Sequence, residues 1–451
     1  MRLLPVVGCC RRGAKRWPDK DSPAATVRRD AVIVLSGAER GHRSAGVHPR
    51  VRAPVPIAVD EPMPRAGAVR GDAVGGPMPA PAGFGTVGRM IERGNLSRPY
   101  RNLATALVAL AVAVTPSAGA LLAAPGKVAL PAPAGAAAWR ADARHLPDPM
   151  SADPVAVQRF LASAGPAEQR GLVAEYPGVM GDLDGVPFAL RYAANRRAMS
   201  DAGAPYRGQD GQFLLFDPRG NGRLAQVFGD LATADRIAVL VPGAGNRAAN
   251  FWRGVGGKRF RSPAVQAADL YRAAAGYPGG DRLAVIAWLG YDTPRGVNAA
   301  AAREDLARSG AAALNRFVSG LAALRPQATI ALFGHSYGST VIGLAAPRLP
   351  HQVTDLAVFG SPGMGVDRVA DLHTTARVWA GQAPGDWVRW VPGVRLFGVG
   401  HGIKPADPSF GARLFPTAGV ADHDHYLAPG TDSLASLARI AASGGLGGVR
   451  P

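Results

Sequence analysis

Cysteine is almost absent from this 451-residue chain, occurring only as Cys9 and Cys10. Residues 121–451 contain none, which excludes disulfide staples, a thiol nucleophile and a cysteine-ligated metal from that region. Strongly apolar runs of the ~20 residues that a membrane-spanning helix needs are also missing. The nearest approach, Leu103 to Ala124, is rich in alanine and broken by Pro116, which weakens the competing reading of a retained membrane anchor there. No internal repeat is visible, nor a dinucleotide fingerprint set between a strand and a helix. The formal charge of +18 is concentrated near the start, because residues 121–451 hold 33 Lys plus Arg against 25 Asp plus Glu, a net of +8. That balance gives no support to nucleic-acid binding, and the one tight basic cluster, Arg253, Lys258, Arg259 and Arg261, reads as a solvated loop.

What is present is unevenly distributed. Residues 1–89 carry paired arginines and many Pro, Gly and Ala without a sustained apolar period, the signature of disorder or of an overextended translation start. From Met90 the pattern changes: Arg93, Arg98 and Arg101 precede the apolar run Leu103 to Val114, and Ala118-Gly119-Ala120 follows at signal-peptidase spacing. Residues 90–120 therefore read as a secretory signal peptide, with translation expected to begin near Met90. Residues 121–150, rich in Ala and Pro, read as a linker, and a folded domain is expected over 151–445.

Within that domain the rhythm is regular. Gln212 to Phe216 and Leu224 to Phe228 flank Asp217-Pro218-Arg219-Gly220-Asn221-Gly222, a hairpin signal. Strands are then predicted over Arg236 to Val241, Leu283 to Leu289, Ala328 to Phe333, Val353 to Phe359 and Arg377 to Trp379. Helices are predicted over Pro263 to Ala275, Ala299 to Leu324 and Ser433 to Ala442. Continuous apolar strands alternating with helices imply an α/β fold: a doubly wound, mostly parallel sheet with an antiparallel N-terminal hairpin and its chemistry at the carboxyl ends of the strands.

The pentapeptide Gly334-His335-Ser336-Tyr337-Gly338 lies between a predicted strand and the small-residue run Ser339 to Ala346. With 58 glycines in the chain the pattern alone means little. Its strand-turn-helix setting makes it the nucleophile elbow of the α/β-hydrolase fold. A serine nucleophile needs a histidine base and a carboxylate to fix the histidine's tautomer, and in this fold they follow in the order acid, then histidine. Asp386, in Ala383-Pro384-Gly385-Asp386-Trp387, is the leading acid; Asp367, Asp371 and Asp407 are alternatives. The base is expected in Asp422-His423-Asp424-His425-Tyr426, where chemistry alone does not separate His423 from His425, and a paired-histidine metal site with Asp422 or Asp424 is a minor alternative. His335 reads as structural, and His401 is a lesser candidate base. The oxyanion donors are expected at Tyr337, the residue after the nucleophile, and at Ala244 or Gly245 in the glycine-rich turn after Val241.

These residues, with several further motifs, resemble a family of actinobacterial, mostly exported α/β-hydrolases of largely unassigned role. The marks, spread from about Val155 to Gly445, are Asp184-Gly185-Val186-Pro187 with Ala194-Asn195-Arg196, Val241-Pro242-Gly243, Trp288-Leu289-Gly290-Tyr291-Asp292-Thr293-Pro294, Gly334 to Ser339, Gly360-Ser361-Pro362-Gly363, His401-Gly402 with Asp407-Pro408, and His423 three residues before Tyr426. The resemblance implies a His-x-x-Tyr pattern, which favours His423 over His425, although Asp424-His425 sits inside that pattern here. The expectation is a secreted, esterase- or lipase-like serine hydrolase using Ser336, His423 and Asp386 on a small-molecule ester or acyl substrate, without metal or organic cofactor. Export is compatible with contact to the cell envelope or a membrane surface. Two alternatives are an amidase or peptidase on the same triad and a non-catalytic envelope-binding protein on a hydrolase scaffold. Residues 151–200, the loop 246–262 and the segment 387–411, with Trp387, Trp390 and Phe397, are candidates to line or cap the pocket.

Overall fold

The computed structural model describes residues 130–396, 399–443 and 445. Cys9, Cys10, the expected signal peptide and Phe397 lie outside them. Five helices come first: α1 (Ala136–Arg140), α2 (Pro154–Ser163), α3 (Pro166–Glu175), α4 (Pro177–Asp182) and α5 (Phe188–Ala202). Proline occupies the first turn of three of them, where its missing N–H costs nothing, and the Asp153 carboxylate caps α2 through the N–H groups of Val155 and Ala156.

The hairpin β1 (Gln212–Asp217) and β2 (Arg223–Phe228) follows, then β3 (Arg236–Val241), α6 (Pro263–Ala274), β4 (Leu283–Leu289), α7 (Ala299–Ala302) and α8 (Asp305–Leu324). The chain continues through β5 (Thr329–His335), α9 (Tyr337–Ala345), β6 (Val353–Phe359), β7 (Arg377–Gly381), a small hairpin β8 (Arg395–Leu396) and β9 (Val399–Gly400), β10 (Arg413–Leu414) and α10 (Asp432–Ser443). The main sheet has the order β1-β2-β4-β3-β5-β6-β7-β10. The β1–β2 and β2–β4 pairings are antiparallel and the others parallel. This is the α/β-hydrolase fold.

Alternation along the strands explains why both faces are covered. Ile237, Val239, Ile286, Leu332 and Val358 face one core with Leu314, Phe317 and Leu321 of α8 and Val341 and Ile342 of α9. Their neighbours Ala238, Leu240, Val285, Phe333 and Phe359 face the other, with Leu270 of α6 and Leu434, Leu437 and Ile440 of α10. Each strand is therefore apolar on both sides, which is what the continuous apolar runs encode.

Two expectations need correction. The linker expected over 121–150 is folded from Leu130 on. Trp139 of α1 is fully buried among Leu161, Leu172, Val179 and Met180, stacks edge-on against Tyr176 at 5.4 Å, and donates its indole N–H to the Pro147 carbonyl at 2.7 Å. One large aromatic anchors a segment whose Ala- and Pro-rich composition conceals it. The single helix expected over Ala299 to Leu324 is broken at Arg303-Glu304. There the Tyr337 hydroxyl accepts from the Ala307 N–H at 3.1 Å and donates to the Arg303 carbonyl at 2.7 Å. The phenol thus takes the place of an i→i−4 bond, a known cause of a helix break.

Candidate active site

Ser336 stands between the end of β5 and the start of α9 with φ 54°, one of three non-glycine residues at positive φ among those described. This strained conformation is held by close backbone packing. The Ser336 N–H donates to the Phe359 carbonyl at 3.1 Å, and a Cβ on Gly338 would run into the Val241 carbonyl. Gly243, two residues beyond β3, is equally constrained: a Cβ there would lie 2.7 Å from Ser336 Cβ and 3.2 Å from Ser336 Oγ. The serine hydroxyl makes no hydrogen bond among the described residues. It faces a cavity of about 240 Å³ that Gly243, Ala244, His335, Trp387 and His423 also border.

Asp386 follows β7 and is fully buried. Its carboxylate accepts from His423 Nδ1 at 2.9 and 3.0 Å, from the Tyr426 hydroxyl at 2.7 Å and from the Val388 N–H at 2.8 Å. Burial by itself would raise the Asp386 pKa, but these donors outweigh it and hold the group below the ordinary carboxylate value. Because an ionised carboxylate can only accept, His423 carries its proton on Nδ1, and its Nε2 lone pair is left available. Gly360, at φ 55°, makes room for this cluster: a Cβ there would come within 2.9 Å of Asp386, 3.0 Å of Tyr426 and 3.1 Å of His423.

The alternative residues lie elsewhere. His425 turns to Asp422 at 2.6 Å and packs on Phe260, so the two neighbouring histidines engage different carboxylates. Among the described residues no three His, Cys, Asp or Glu side chains converge as a metal site. Asp407 caps the turn at Ser409, Asp371 pairs with Arg368, and Asp367 accepts from the Ile403 N–H. His401 is buried against the Tyr337 ring and bonded to the Ala301 carbonyl at 2.7 Å.

For the oxyanion donors, the Gly245 N–H is already given to the Pro294 carbonyl at 2.7 Å, which removes Gly245 as a candidate. Ala244 borders the cavity and its N–H has no partner among the described residues; Tyr337 opens α9, where N–H groups lack intrahelical acceptors. The Trp288-to-Pro294 motif explains how this turn is held. Tyr291 donates to the Pro242 carbonyl at 2.7 Å and Thr293 to the Asn246 carbonyl at 2.9 Å. By contrast, the Asp184 and Asn195 motifs serve the N-terminal layer: Asp184 pairs with Arg191, and the Asn195 side chain ties α4 to β1. Helices α2 to α5 contribute no residue to the cavity wall, so the expected cap over 151–200 is not formed there.

A model of the alpha/beta hydrolase family matches residues 217–396. An uncharacterized protein of Mycobacterium bovis is 34% identical over 227 residues, an alignment covering 49% of this chain and 77% of that protein. The chain belongs to the alpha/beta hydrolase family. An uncharacterized Mycobacterium tuberculosis protein is 28% identical over 382 residues, covering 67% of this hydrolase-family chain and 57% of the relative, so the chain spans little more than half of that protein's length. Among solved structures, an α/β serine hydrolase without lid from Xanthomonas campestris is 16% identical over 40% of this chain and 73% of its own, with a TM-score of 0.27. A Trichoderma reesei cutinase bound to a phosphonate inhibitor is 14% identical over 54% and 90%, with a TM-score of 0.24.

Sequence reasoning left His335 with only a structural role. Its Nε2 lies 2.8 Å from the His423 carbonyl and its ring 4.7 Å from the His423 ring, so the residue before the serine holds the loop that carries the histidine. A carbonyl only accepts, which makes Nε2 the protonated nitrogen. Burial first, and then the neighbouring His423, lower the His335 pKa from 6.5 to about 3. The folded protein therefore keeps His335 neutral where the unfolded chain would protonate it. Stability from this residue is full above pH 6.5 and declines as pH falls toward about 3. The slope is up to about 1.4 kcal/mol per pH unit. Urea unfolding measured across this range is expected to show that contribution in the wild type and lose it in His335→Gln.

Proposed function

We propose that this member of the family is a secreted serine hydrolase that cleaves carboxylic esters through Ser336, His423 and Asp386. The observation that carries the reading is the buried Asp386 carboxylate bonded to His423 Nδ1, with His423 and Ser336 bordering one cavity. Ser336 Oγ attacks the acyl carbon and its proton passes to His423 Nε2. Asp386 orients the ring and stabilises the imidazolium. The N–H groups of Tyr337 and Ala244 receive the charge that develops on the carbonyl oxygen, and α9 directs the positive end of its dipole there. His423 then gives the proton to the departing alcohol, and water releases the acyl group by the same steps in reverse.

Esters are the expected substrates because an alkoxide leaves with less assistance than an amine. Export is part of the proposal, supported by the arginine-flanked apolar run Leu103 to Val114 and the small residues that follow it. No helix among the described residues is long and apolar enough to cross a membrane.

A fluorophosphonate probe is expected to label the folded protein at Ser336, located by peptide mass spectrometry, and prior labelling is expected to abolish turnover of short-chain 4-nitrophenyl esters. A protein that turns over only peptides would be an amidase. One that neither labels nor turns over either substrate would be a binding protein on this scaffold.

A further inference from the structure

The cavity wall carries one cation that the hydrolytic steps do not use. Arg261 lies on it, together with Gln266 and with Asp424, the residue after His423. Its Nε faces the Asp424 carboxylate at 3.3 Å. The Arg261 guanidinium donates no hydrogen bond among the described residues, whereas the neighbouring Arg259 is committed to the buried Asp269. The Arg261 side chain is 32% exposed, and the side chain of Asp424 is 19% exposed.

This arrangement is built rather than loose. Ser262, fully buried, donates to the Phe251 carbonyl at 2.7 Å and caps α6 through the Val265 N–H. Gln266, also buried, donates to the Phe260 carbonyl at 2.7 Å, so the backbone on both sides of Arg261 is fastened. The guanidinium's donors are thus unspent, and two parallel N–H groups match a carboxylate in bidentate fashion. The guanidinium also lies beside the turn that carries the Ala244 amide. Nη2 is 3.8 Å from where a Cβ on Gly245 would stand, one residue beyond the Ala244 amide. The charge of Arg261 is also among the influences that lower the His335 pKa.

We propose that Arg261 recognises a carboxylate on the acyl part of the substrate, so that this hydrolase acts on compact hemiesters of short dicarboxylic acids. The inference rests on the serine-hydrolase reading above. A cavity of about 240 Å³ is below the usual range for drug-sized ligands and suits a four- or five-carbon acyl chain. The reaction is ordinary ester hydrolysis. The bond from Ser336 Oγ to the acyl carbon forms as the alkoxy bond breaks, and the serine proton leaves with the alcohol by way of His423. Water then displaces Ser336, releasing the dicarboxylate. Asp424 orients Arg261 and offsets its charge in the empty pocket, so it also limits how tightly an anion is held.

The test compares 4-nitrophenyl hydrogen glutarate with the neutral 4-nitrophenyl pentanoate, and separately measures glutarate binding to the Ser336→Ala protein by calorimetry. The wild type is expected to favour the anionic ester in kcat/KM. Arg261→Gln is expected to lower kcat/KM for that ester roughly tenfold to a hundredfold, the worth of hydrogen bonds to a charged group, while changing the neutral ester less than about threefold. It should also abolish glutarate binding, and Asp424→Asn should strengthen it. Equal losses on both esters, or no glutarate binding to Ser336→Ala, would overturn the proposal. If Ser336 fails to label and neither ester is cleaved, the hydrolase reading falls, and Arg261-dependent glutarate binding still decides the anion site.

Discussion

Replacing Asp386 by asparagine is expected to lower kcat by roughly 10³- to 10⁴-fold with little change in KM, the scale seen when a triad loses its carboxylate and the histidine its tautomer. The Asp386 oxygens serve three donors: His423 Nδ1 lies 2.9 Å from Oδ1 and 3.0 Å from Oδ2, the Val388 N–H donates to Oδ1 and the Tyr426 hydroxyl to Oδ2. An asparagine amide turned toward His423 would set N–H against the Val388 N–H and force the imidazole proton to Nε2, where it blocks acceptance from Ser336. Turned the other way, it meets the Tyr426 hydroxyl, which already accepts from the Ala383 N–H. Either orientation removes the anion that stabilises the imidazolium. Asp386 is fully buried and does not border the cavity, so substrate affinity should be nearly unaffected. Steady-state kinetics with a circular dichroism check on folding measures this; a loss below tenfold would remove Asp386 from the mechanism.

The largest loss of stability is expected at the opposite end of the sheet. Asp355, near the start of β6, is fully buried and accepts from the Arg377 guanidinium at 2.9 and 2.8 Å and from the Trp379 indole N–H at 2.9 Å. Arg236 of β3 lies 3.9 Å away and also donates to the Ala441 carbonyl of α10. Strands β3, β6 and β7 and the C-terminal helix thus meet at one carboxylate. Asp355→Ala leaves two guanidinium groups without their counter-charge and an indole N–H without an acceptor, a type of loss that costs about 3–5 kcal/mol. Arg377 is partly exposed and can turn to water, which favours the lower end of that range. Chemical denaturation measures the shift in midpoint. Activity per folded molecule should be retained, because Ser336, Asp386 and His423 gather at the carboxyl ends of the strands.

The strands were the most legible part of the sequence, since burial on both faces makes each one a continuous apolar run such as Leu283 to Leu289. Order after Ser336 pointed to Asp386 ahead of three other aspartates and to the loop of His423 and His425, the family resemblance favoured His423, and the structure sets Asp386 and His423 2.9 Å apart. What the sequence concealed depends on partners distant along the chain. The break before α8 is caused by a phenol 30 residues downstream, and the contact of His335 with the His423 loop spans 88. Gly245 looked as good an oxyanion donor as Ala244 until the Pro294 carbonyl took its N–H. Trp139 was hidden for another reason: a single indole outweighs the surrounding alanines and prolines, and composition averages it away.

Gly243 meets the cavity with bare main chain, and Gly360 does the same for the Asp386–His423–Tyr426 cluster behind it. A methyl group at either position would occupy space already filled by Asp386, Tyr426 and His423 in one case and by Ser336 in the other. Arg261, Gly296 and Val297 also border the cavity, and none of them is among the groups that a Cβ at Gly243 or Gly360 would meet. Mutational tolerance should divide along that line. A lineage carrying this scaffold can exchange such bordering residues, and with them its preferred acyl group, one substitution at a time, whereas the two glycine positions each admit a single amino acid. New specificity is within short evolutionary reach here; new chemistry is not.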